Sequence, residues 1–247
     1  MRILAVIPAR FASTRFPGKP LADRTGKPLI QHVVERVREA KRIGRIVVAT
    51  DDDRIAAAVA RFGGEAMMTG EHPNGTSRIA EVVERLGTGA GEVIVNVQGD
   101  EPEIEPDMID ALVEALAGGD AAAPMATVAT PLGAGEDAGN PNVVKVVVDA
   151  AGRALYFSRS PIPCHRDGHG SGSPPYLKHL GLYAYRRDFL LRYARLAETP
   201  LELAEKLEQL RALEHGHAIR VIVGPPSPPG IDTPEQYDAF VARTARL

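Results

Sequence analysis

Short strand-like runs alternate with segments of helical periodicity over the first half of the chain, and this alternation constrains the fold more than any other feature. The runs occupy residues 3–7, 46–50 and 92–97, with a shorter one at 65–68. Uninterrupted apolar runs of this length are typical of strands that are buried on both faces. Between the first two runs, apolar residues recur at helical spacing: Leu29, Ile30, Val33, Val34 and Val37. The sequence therefore predicts an α/β fold in which a parallel sheet carries helices on its faces.

The pattern changes in the second half of the chain. Residues 142–149 and 154–157 are strand-like and a short turn separates them, which predicts an antiparallel hairpin. Residues 177–186 alternate apolar and polar side chains, so we expect a strand with two different faces. One of those faces carries His179, Gly181, Tyr183 and Tyr185, which places ring donors and acceptors in line. Residues 200–215 predict a single helix whose charged side chains mostly face solvent.

The loop after the first strand is rich in cations and hydroxyl groups. We expect Pro8 to end the strand, because proline cannot donate to a sheet ladder. The loop then carries Arg10, Ser13, Thr14, Arg15 and Lys19, and prolines and a glycine stiffen it. Arginine can bind phosphate oxygens through two N–H groups and lysine supplies a point charge, so the loop predicts an anion-binding site. The alternative is a solvated basic loop without a ligand.

Acidic residues follow two of the predicted strands. Asp100 lies just past the run 92–97, at the edge where open parallel sheets bind their ligands. A carboxylate near a phosphate-binding loop is placed to hold Mg²⁺ against phosphate oxygens. Three aspartates, residues 51–53, follow the run 46–50. We interpret two of them as caps of the next helix, whereas Asp51 could also face the site.

Two other polar positions have both a structural and a functional interpretation. Arg78 is expected in the first turn of a helix that Thr76 or Ser77 caps, where the helix dipole disfavours a cation. That placement favours a functional role, but packing of the arginine stem on the loop explains it equally well. Asp232 or Thr233 caps the last helix, and this structural role already explains the sequence there.

Composition excludes several classes of protein. The chain has 247 residues, a formal net charge of −3 and a single cysteine, Cys164. Broad attraction to nucleic acid or to an anionic membrane is not expected at this charge, and internal disulfides are excluded. No apolar run is long enough for a membrane-spanning helix, and the first run is too short for a signal peptide, so a cytoplasmic location is expected.

The motifs together resemble the 3-deoxy-manno-octulosonate cytidylyltransferases, the CMP-Kdo synthetases of Gram-negative lipopolysaccharide assembly. The matching stretches occur in family order and cover nearly the whole chain: IPARFASTRFPGKPL, IVVATD, GTSR, VIVNVQGDEP, NPNVVKVVVD, ALYFSRSPIP, KHLGLYAYR, LELAEKLEQLR and GIDTPEQ. The first loop and NVQGDEP form a very specific pair. ALYFSR and HLGLYAYR favour this family over the related CMP-sialic acid synthetases.

The resemblance implies a mostly parallel, Rossmann-like nucleotidylyltransferase sheet flanked by helices, with an antiparallel hairpin and dimerisation region. It implies one cytidylyltransferase domain, residues 1–247. Within it, residues 1–130 and 215–247 would form the nucleotide-binding core, and residues 131–214 the sugar-binding and dimerisation region. The sequence departs from the family pattern at Cys164 and His165 and in the short glycine-rich loop that follows, so the role of residues 158–175 stays open.

The resemblance also implies a set of site residues. CTP would be bound by Arg10, Ser13, Arg15, Lys19, Arg78 and Gln98. The sugar would be bound by Gln98, Arg159, His179, Tyr185, Glu208 and Gln209. Asp100 and Asp232 would bind Mg²⁺, and the catalytic residues would be Lys19, Asp100 and Arg15.

The implied reaction is transfer of CMP from CTP to 3-deoxy-D-manno-octulosonate (Kdo), with release of diphosphate. The implied partners are these two small molecules and a second copy of the chain, with neither nucleic acid nor membrane. Alternatives are a cytidylyltransferase that acts on 8-amino-Kdo or sialic acid, and a non-catalytic nucleotide sensor. A dinucleotide-binding module is disfavoured, because the first loop lacks the G-x-G-x-x-G pattern.

Overall fold

The computed structural model describes residues 2–12, 15–118, 122–133, 135–166, 168, 175–226, 228 and 230–245. The chain divides into two compact units. The first comprises Met1–Asp110 with Ser227–Leu247, and the second comprises Ala111–Pro226. No helix among the described residues is both long and apolar enough to cross a membrane.

The first unit contains the predicted parallel sheet. Its strands are β1 (Ile3–Ala9), β2 (Arg45–Thr50), β3 (Ala66–Met68) and β4 (Val93–Asn96). They lie in the order β3-β2-β1-β4, and each neighbouring pair is parallel. β1 lies in the centre, and its apolar side chains are almost completely buried. The strand continues through Pro8, which lies opposite Ala49, so the prediction that Pro8 ends it was wrong. The prediction of a parallel α/β sheet is confirmed.

Helices occur where the apolar spacing predicts them, and the first three of them connect these strands. They are α1 (Leu29–Glu39), α2 (Asp53–Arg61), α3 (Gly75–Leu86), α4 (Pro106–Ala117) and α8 (Pro234–Thr244). Asp52 caps α2, since its side chain accepts a hydrogen bond from the Arg54 N–H. The predicted cap of α3 was wrong. Asn74, the residue before the first turn, caps that helix, because its Oδ1 accepts a hydrogen bond from Ser77 N at 2.9 Å.

The strand order produces a topological switch beside β1. The chain runs from β1 outward through β2 and β3, and then returns to place β4 on the other side of β1. The loops that leave the carboxyl ends of β1 and β4 therefore diverge and open a crevice. Ligands of open parallel sheets bind at such a position.

The second unit is mainly antiparallel. Its strands are β5 (Met125–Pro131), β6 (Lys145–Val148), β7 (Ala154–Ser158), β8 (Leu177–Arg186) and β9 (Ile219–Val223). β6 and β7 form the predicted hairpin, and β8 pairs antiparallel with β6 and with β5. β9 pairs parallel with β5.

The helices of the second unit are α5 (Arg187–Tyr193), α6 (Pro200–Glu205) and α7 (Gln209–Glu214). The prediction of one helix over residues 200–215 was wrong. Lys206 adopts a left-handed conformation with φ of 54°, which ends α6 before α7 begins. Lysine is a good helix former, so nothing in its side chain marks this break.

The observed boundary between units differs from the grouping inferred from the sequence. β5 pairs with both β8 and β9, and all three strands lie in the second unit. The sequence grouping counted these strands with the first region. The interpretation of the whole chain as one cytidylyltransferase domain stays a prediction.

Candidate active site

The loop after β1 is closed on itself by its backbone. Gly18 N donates to the Phe11 carbonyl oxygen at 3.1 Å. Gly18 has φ of +70°, and a Cβ atom there would lie 3.2 Å from the Phe11 ring, so glycine is needed. The Arg54 guanidinium lies 3.4 Å from the centre of that ring, in a cation–π contact. Ser13, one of the predicted CTP ligands, lies outside the described residues.

Lys19 lies at the centre of a cluster of charged groups. Its Nζ donates to Asp100 Oδ2 and to the Ile231 carbonyl oxygen, both at 2.7 Å. It also lies 3.4 Å from Asp232 Oδ1, and only 12% of its side chain is exposed. Arg15 extends the cluster, with Nη2 3.2 Å from Asp232 Oδ2. The structure therefore brings together Lys19, Arg15, Asp100 and Asp232, which are far apart in sequence.

Backbone contacts place the two carboxylates beside Lys19. At Gly99 a Cβ atom would lie 3.0 Å from the Pro8 carbonyl oxygen, so the loop after β4 passes very close to the end of β1. Ile231 N donates to the Asp100 carbonyl oxygen at 2.8 Å, which ties the C-terminal segment to the same loop. Thr233, rather than Asp232, caps α8. The Asp232 carboxylate is consequently available to the two cations.

A cavity of about 300 Å³ opens at the carboxyl end of β1. Its lining includes Arg10, Arg78 and Gln98, three of the residues predicted to bind nucleotide. Arg10 is exposed, whereas Arg78 is buried with 3% of its surface accessible. Gln98 Nε2 donates to Asn96 Oδ1 at 3.2 Å, which orients the amide group. The cavity combines cationic and amide groups, as a nucleotide site requires.

Arg78 is compensated by specific partners despite its unfavourable position in the helix. Its Nη2 donates to Asp51 Oδ2 at 2.5 Å, and Nη1 donates to Thr69 Oγ1 at 2.6 Å. The sequence left the role of Asp51 undecided between a helix cap and a site residue. In the structure its carboxylate holds the Arg78 guanidinium. The functional and structural interpretations of Arg78 are therefore compatible, since its paired guanidinium lines the cavity.

His72 also lines this cavity, although no pattern in the sequence marked it as a site residue. His72 Nε2 lies 2.6 Å from Glu81 Oε2, and Gly70 N donates to the same oxygen. The hydrogen bond with His72 is the main cause that lowers the pKa of Glu81. A histidine in a polar loop carries no periodic signal, so only the folded chain reveals this contact.

A row of aromatic rings characterises the second unit. The His179 ring lies 5.4 Å from that of Tyr183, and Tyr183 stacks on Tyr185 at 5.9 Å. Tyr185 in turn stacks on Tyr193 at 6.1 Å. The predicted shared face of β8 is confirmed. Burial raises the pKa of Tyr183 and of Tyr193 well above the usual value, so both phenols stay neutral.

Glu208 and Gln209 lie where α7 begins, next to this row. The Tyr193 hydroxyl donates to the Glu208 carbonyl oxygen at 2.6 Å, which fixes the start of the helix against the rings. Gln209 is 4% exposed, and its buried Nε2 has no hydrogen-bond partner among the described residues. Buried amide donors are normally paired, so this group is consistent with a ligand that the protein receives from solution.

Arg159 is held by backbone carbonyls in this structure. Its Nε, Nη1 and Nη2 donate to the carbonyl oxygens of Glu205, Pro141 and Lys206. The contact with Lys206 reaches the left-handed residue between α6 and α7. Arg159 therefore supports the turn that leads to Glu208, and its predicted contact with the sugar stays a prediction.

Two charged residues that the sequence did not select complete this support. Glu205 accepts hydrogen bonds from Ser158 Oγ at 2.6 Å and from Arg159 N at 2.9 Å. Lys145 is fully buried, and its ammonium group donates to the carbonyl oxygens of Val143, Asn140 and Arg159. Glu205 resembled a solvated helix charge, and Lys145 interrupts an apolar strand without a recognisable motif.

Comparison with known proteins identifies relatives over nearly the whole chain. Residues 4–219 match the family model described as Cytidylyltransferase. A 3-deoxy-manno-octulosonate cytidylyltransferase of Syntrophobacter fumaroxidans is 55% identical over 98% of this chain and 96% of its own length. A protein of the same name from Geobacter sulfurreducens is 54% identical, over 98% of this chain and 99% of its own.

The folds agree as well. The solved structure of CMP:2-keto-3-deoxy-manno-octonic acid synthetase complexed with CTP superposes with a TM-score of 0.92 and 44% identity. The match covers 100% of this chain and 99% of that one. A 4-diphosphocytidyl-2C-methyl-D-erythritol synthase from Anaerococcus prevotii shares the fold at 16% identity and a TM-score of 0.64, over 99% of both chains. From the family match and the identity to its curated relatives, the chain belongs to the cytidylyltransferase family, in the group of the 3-deoxy-manno-octulosonate cytidylyltransferases.

Proposed function

We propose that this protein transfers CMP from CTP to Kdo, giving CMP-Kdo and diphosphate for lipopolysaccharide biosynthesis in the cytoplasm. The observation that carries the proposal is the cluster in which Lys19 joins Asp100 to Asp232 at the carboxyl ends of β1 and β4. The names of relatives that are 54–55% identical over nearly full length support the same activity. The site in the first unit is assigned to CTP, and the aromatic row of the second unit to the sugar.

The first unit supplies cations where a triphosphate carries its charge. Arg10, Ser13, Arg15 and Lys19 are assigned to the triphosphate, since all four belong to the loop after β1. Arg78 and Gln98 line the neighbouring cavity and are assigned to the remainder of the nucleotide, with Gln98 also contacting the sugar. Asp51 and Asn96 hold these two side chains in place.

The chemistry requires positioned charge rather than a protein nucleophile. The anomeric oxygen of Kdo forms a bond to the α-phosphorus of CTP, and the bond from that phosphorus to the bridging oxygen of diphosphate breaks. The anomeric hydroxyl gives its proton to solvent water in this step. Charge builds on the phosphate oxygens, so Lys19 and Arg15 stabilise the transition state by donating to them. Lys19 can do so because its ammonium group is already oriented by Asp100 and the Ile231 carbonyl.

Cytidylyltransferases of this kind use a divalent metal ion, and we assign Mg²⁺ to Asp100 and Asp232. Oxygens of both carboxylates approach the same cationic group, Lys19 Nζ, at 2.7 and 3.4 Å. Mg²⁺ is typically bound by one or two carboxylates together with substrate phosphates, so these residues fit the ion. When bound, it would neutralise charge on the phosphate oxygens and lower the pKa of the attacking hydroxyl. Chelation should abolish turnover and weaken CTP binding measured by calorimetry, and added Mg²⁺ should restore both.

The second unit is assigned to the sugar. His179, Tyr185, Glu208 and Gln209 offer ring, carboxylate and amide groups, and Gln209 keeps a buried donor without a protein partner among the described residues. Arg159 is assigned to the same sugar, through the guanidinium N–H groups that do not already donate to backbone carbonyl oxygens. Homodimerisation is assigned to the hairpin region, where the edge strand β7 exposes 61% of Leu155.

The test is pyrophosphate release measured with each of the four nucleoside triphosphates, with and without an acceptor sugar. We expect release only when CTP and Kdo are both present. Parallel reactions with 8-amino-Kdo and sialic acid determine the sugar. Pyrophosphate release with one of these sugars but not with Kdo would overturn Kdo as the acceptor. CTP binding without pyrophosphate release with any sugar would establish a nucleotide sensor instead.

A further inference from the structure

The pairing of β5 with β8 contains an irregularity beside His179. Thr127 pairs with Tyr183, whereas the next residue of β5, Val128, pairs with Leu180. Gly181 and Leu182 therefore have no opposite residue on β5. A bulge of this kind interrupts the ladder and frees backbone groups from their usual partners.

The Thr127 side chain fills this irregularity. Its Oγ1 lies 2.8 Å from the Leu182 carbonyl oxygen and 3.4 Å from that of Leu180. The same atom lies 2.9 Å from His179 Nε2. Thr127 has no solvent-accessible surface, so water does not compete for these contacts.

The hydroxyl group has only one hydrogen to share among these partners. Carbonyl oxygens accept and never donate, so the close contact with Leu182 takes the hydroxyl hydrogen. His179 Nε2 must then donate to Thr127 Oγ1, which fixes the hydrogen of the imidazole on Nε2. In the neutral ring the other nitrogen, Nδ1, is left as an acceptor.

The environment of His179 supports a neutral ring. Burial lowers the pKa of His179 to about 3. Its ring neighbours are Phe157 at 5.0 Å and Tyr183 at 5.4 Å, neither of which would stabilise a cation as a carboxylate does. No group in the described part of the chain hydrogen-bonds to Nδ1 of His179. This nitrogen is also not one of the fully buried polar atoms that lack a partner. His179 is therefore suited to accept a hydrogen bond from a ligand.

We infer that Thr127 is a positioning residue that locks His179 in the Nε2–H tautomer, so that Nδ1 accepts a hydrogen bond from a hydroxyl group of the acceptor sugar. The identity of the ligand rests on the function proposed above. The tautomer itself rests only on the contacts of Thr127. His179 thus recognises a sugar hydroxyl and does not pair with the sugar carboxylate as a cation.

The first test is spectroscopic and needs no substrate. The full-length protein is labelled with ¹⁵N-histidine, and the His179 signals are assigned from their absence in His179→Ala. At neutral pH we expect Nε2 to carry the hydrogen and Nδ1 to show the shift of an unprotonated ring nitrogen. Thr127→Val should produce a mixture of tautomers, and Thr127→Ser, which keeps the hydroxyl, should restore the wild-type spectrum.

The second test is kinetic. Thr127→Val should raise the KM for the sugar about tenfold or more and leave the KM for CTP unchanged, because only the sugar contact loses its orientation. Thr130→Val is the matched control, since Thr130 is fully buried on the same strand and its hydroxyl has no partner among the described residues. In a His179→Ala background, Thr127→Val should have no further effect on the sugar KM.

Several results would overturn the inference. One is a wild-type His179 that carries its hydrogen on Nδ1 or is doubly protonated at neutral pH. Another is a Thr127→Val protein that changes both substrate constants equally, or that Thr130→Val reproduces, since a general packing defect would do this. A wild-type protein that releases no pyrophosphate with any sugar would overturn the proposed function and the assigned ligand, and the spectrum would still report the tautomer separately.

Discussion

At the residue scale, Lys19 is the group on which the proposed chemistry most depends. Replacement by methionine keeps the length of the side chain but removes the charge, and Asp100→Asn keeps the shape but removes the negative charge of a proposed metal ligand. Removing one preorganised charge of this kind lowers kcat by about 10²–10³. We expect at least that loss in pyrophosphate release for each variant, with an unchanged circular dichroism spectrum.

Lys27 offers a matched control for this experiment. It belongs to the same unit and pairs with Glu35 at 2.8 Å, but 48% of its side chain is exposed. Lys27→Met should keep wild-type turnover, because surface ion pairs contribute little. Near-normal kcat in Lys19→Met would show that the cluster is structural only.

A second prediction at this scale concerns the substitution of Asp51. Its carboxylate holds Arg78, whose side chain is 4% exposed and lines the cavity. Asp51→Asn should therefore raise the KM for CTP about tenfold and leave the KM for the sugar unchanged. Asp53→Asn is the control, since Asp53 is an exposed residue in the first turn of α2. Equal effects of the two substitutions would contradict a specific role for Asp51.

At the scale of elements, Glu205 couples β7 to the turn between α6 and α7. Burial raises the pKa of Glu205, but hydrogen bonds from the Arg159 N–H and the Ser158 hydroxyl outweigh it, so the pKa lies below the ordinary 4.5. The charged form is thus favoured in the folded protein. Its stabilisation is complete well above pH 4.5 and is lost as the pH falls through the folded-state pKa.

Urea unfolding as a function of pH tests this coupling. Glu205→Gln should be less stable than the wild type at pH 7, and the difference should shrink below pH 4.5. Glu198→Gln, at an exposed position in the same unit, should show no such pH-dependent difference. A Glu205→Gln difference that stays constant down to pH 3 would refute the assignment.

The left-handed residue between α6 and α7 leads to another prediction. A residue other than glycine with positive φ is strained, and Lys206 has φ of 54°. Lys206→Gly should stabilise the protein by about 0.5–1 kcal/mol, because glycine adopts this conformation without the Cβ penalty. Thermal unfolding of Lys206→Ala is the comparison, and alanine should give no such gain. A glycine variant that unfolds at a lower temperature would contradict this geometry.

At the scale of the whole molecule, the proposed homodimer can be tested on the hairpin. Leu155 exposes 61% of its surface on β7, a strand that pairs only with β6 among the described strands. Leu155→Asp should convert a dimer into a monomer in light scattering, since a buried carboxylate disfavours an apolar contact. Met68→Asp, at an exposed apolar position of the first unit, should remain dimeric. A wild type that is monomeric at all concentrations would refute the assignment.

The alternation of strands and helices was readable from the sequence because burial imposes a period on the side chains. Those periods predicted the parallel sheet, the hairpin over β6 and β7 and the two-faced strand β8. The composition of the first loop predicted an anion site there, since Arg15 and Lys19 differ from their surroundings in charge. The position of Asp100 after a strand predicted a Mg²⁺ ligand, and family motifs added the expected roles of Asp232 and of the residues assigned to the sugar.

Other features were decided only by the tertiary structure. At the break between α6 and α7, the carbonyl oxygen of Lys206 accepts a hydrogen bond from Arg159, a residue that follows β7 and is distant in sequence. Lys19, Asp100 and Asp232 are distant in sequence, and only the strand order brings them into one cluster. The hydrogen bond between Thr127 and His179 depends on the register of β5 and β8. Local patterns report burial and turn chemistry, whereas the partner of a polar atom is set by chain segments that meet only on folding.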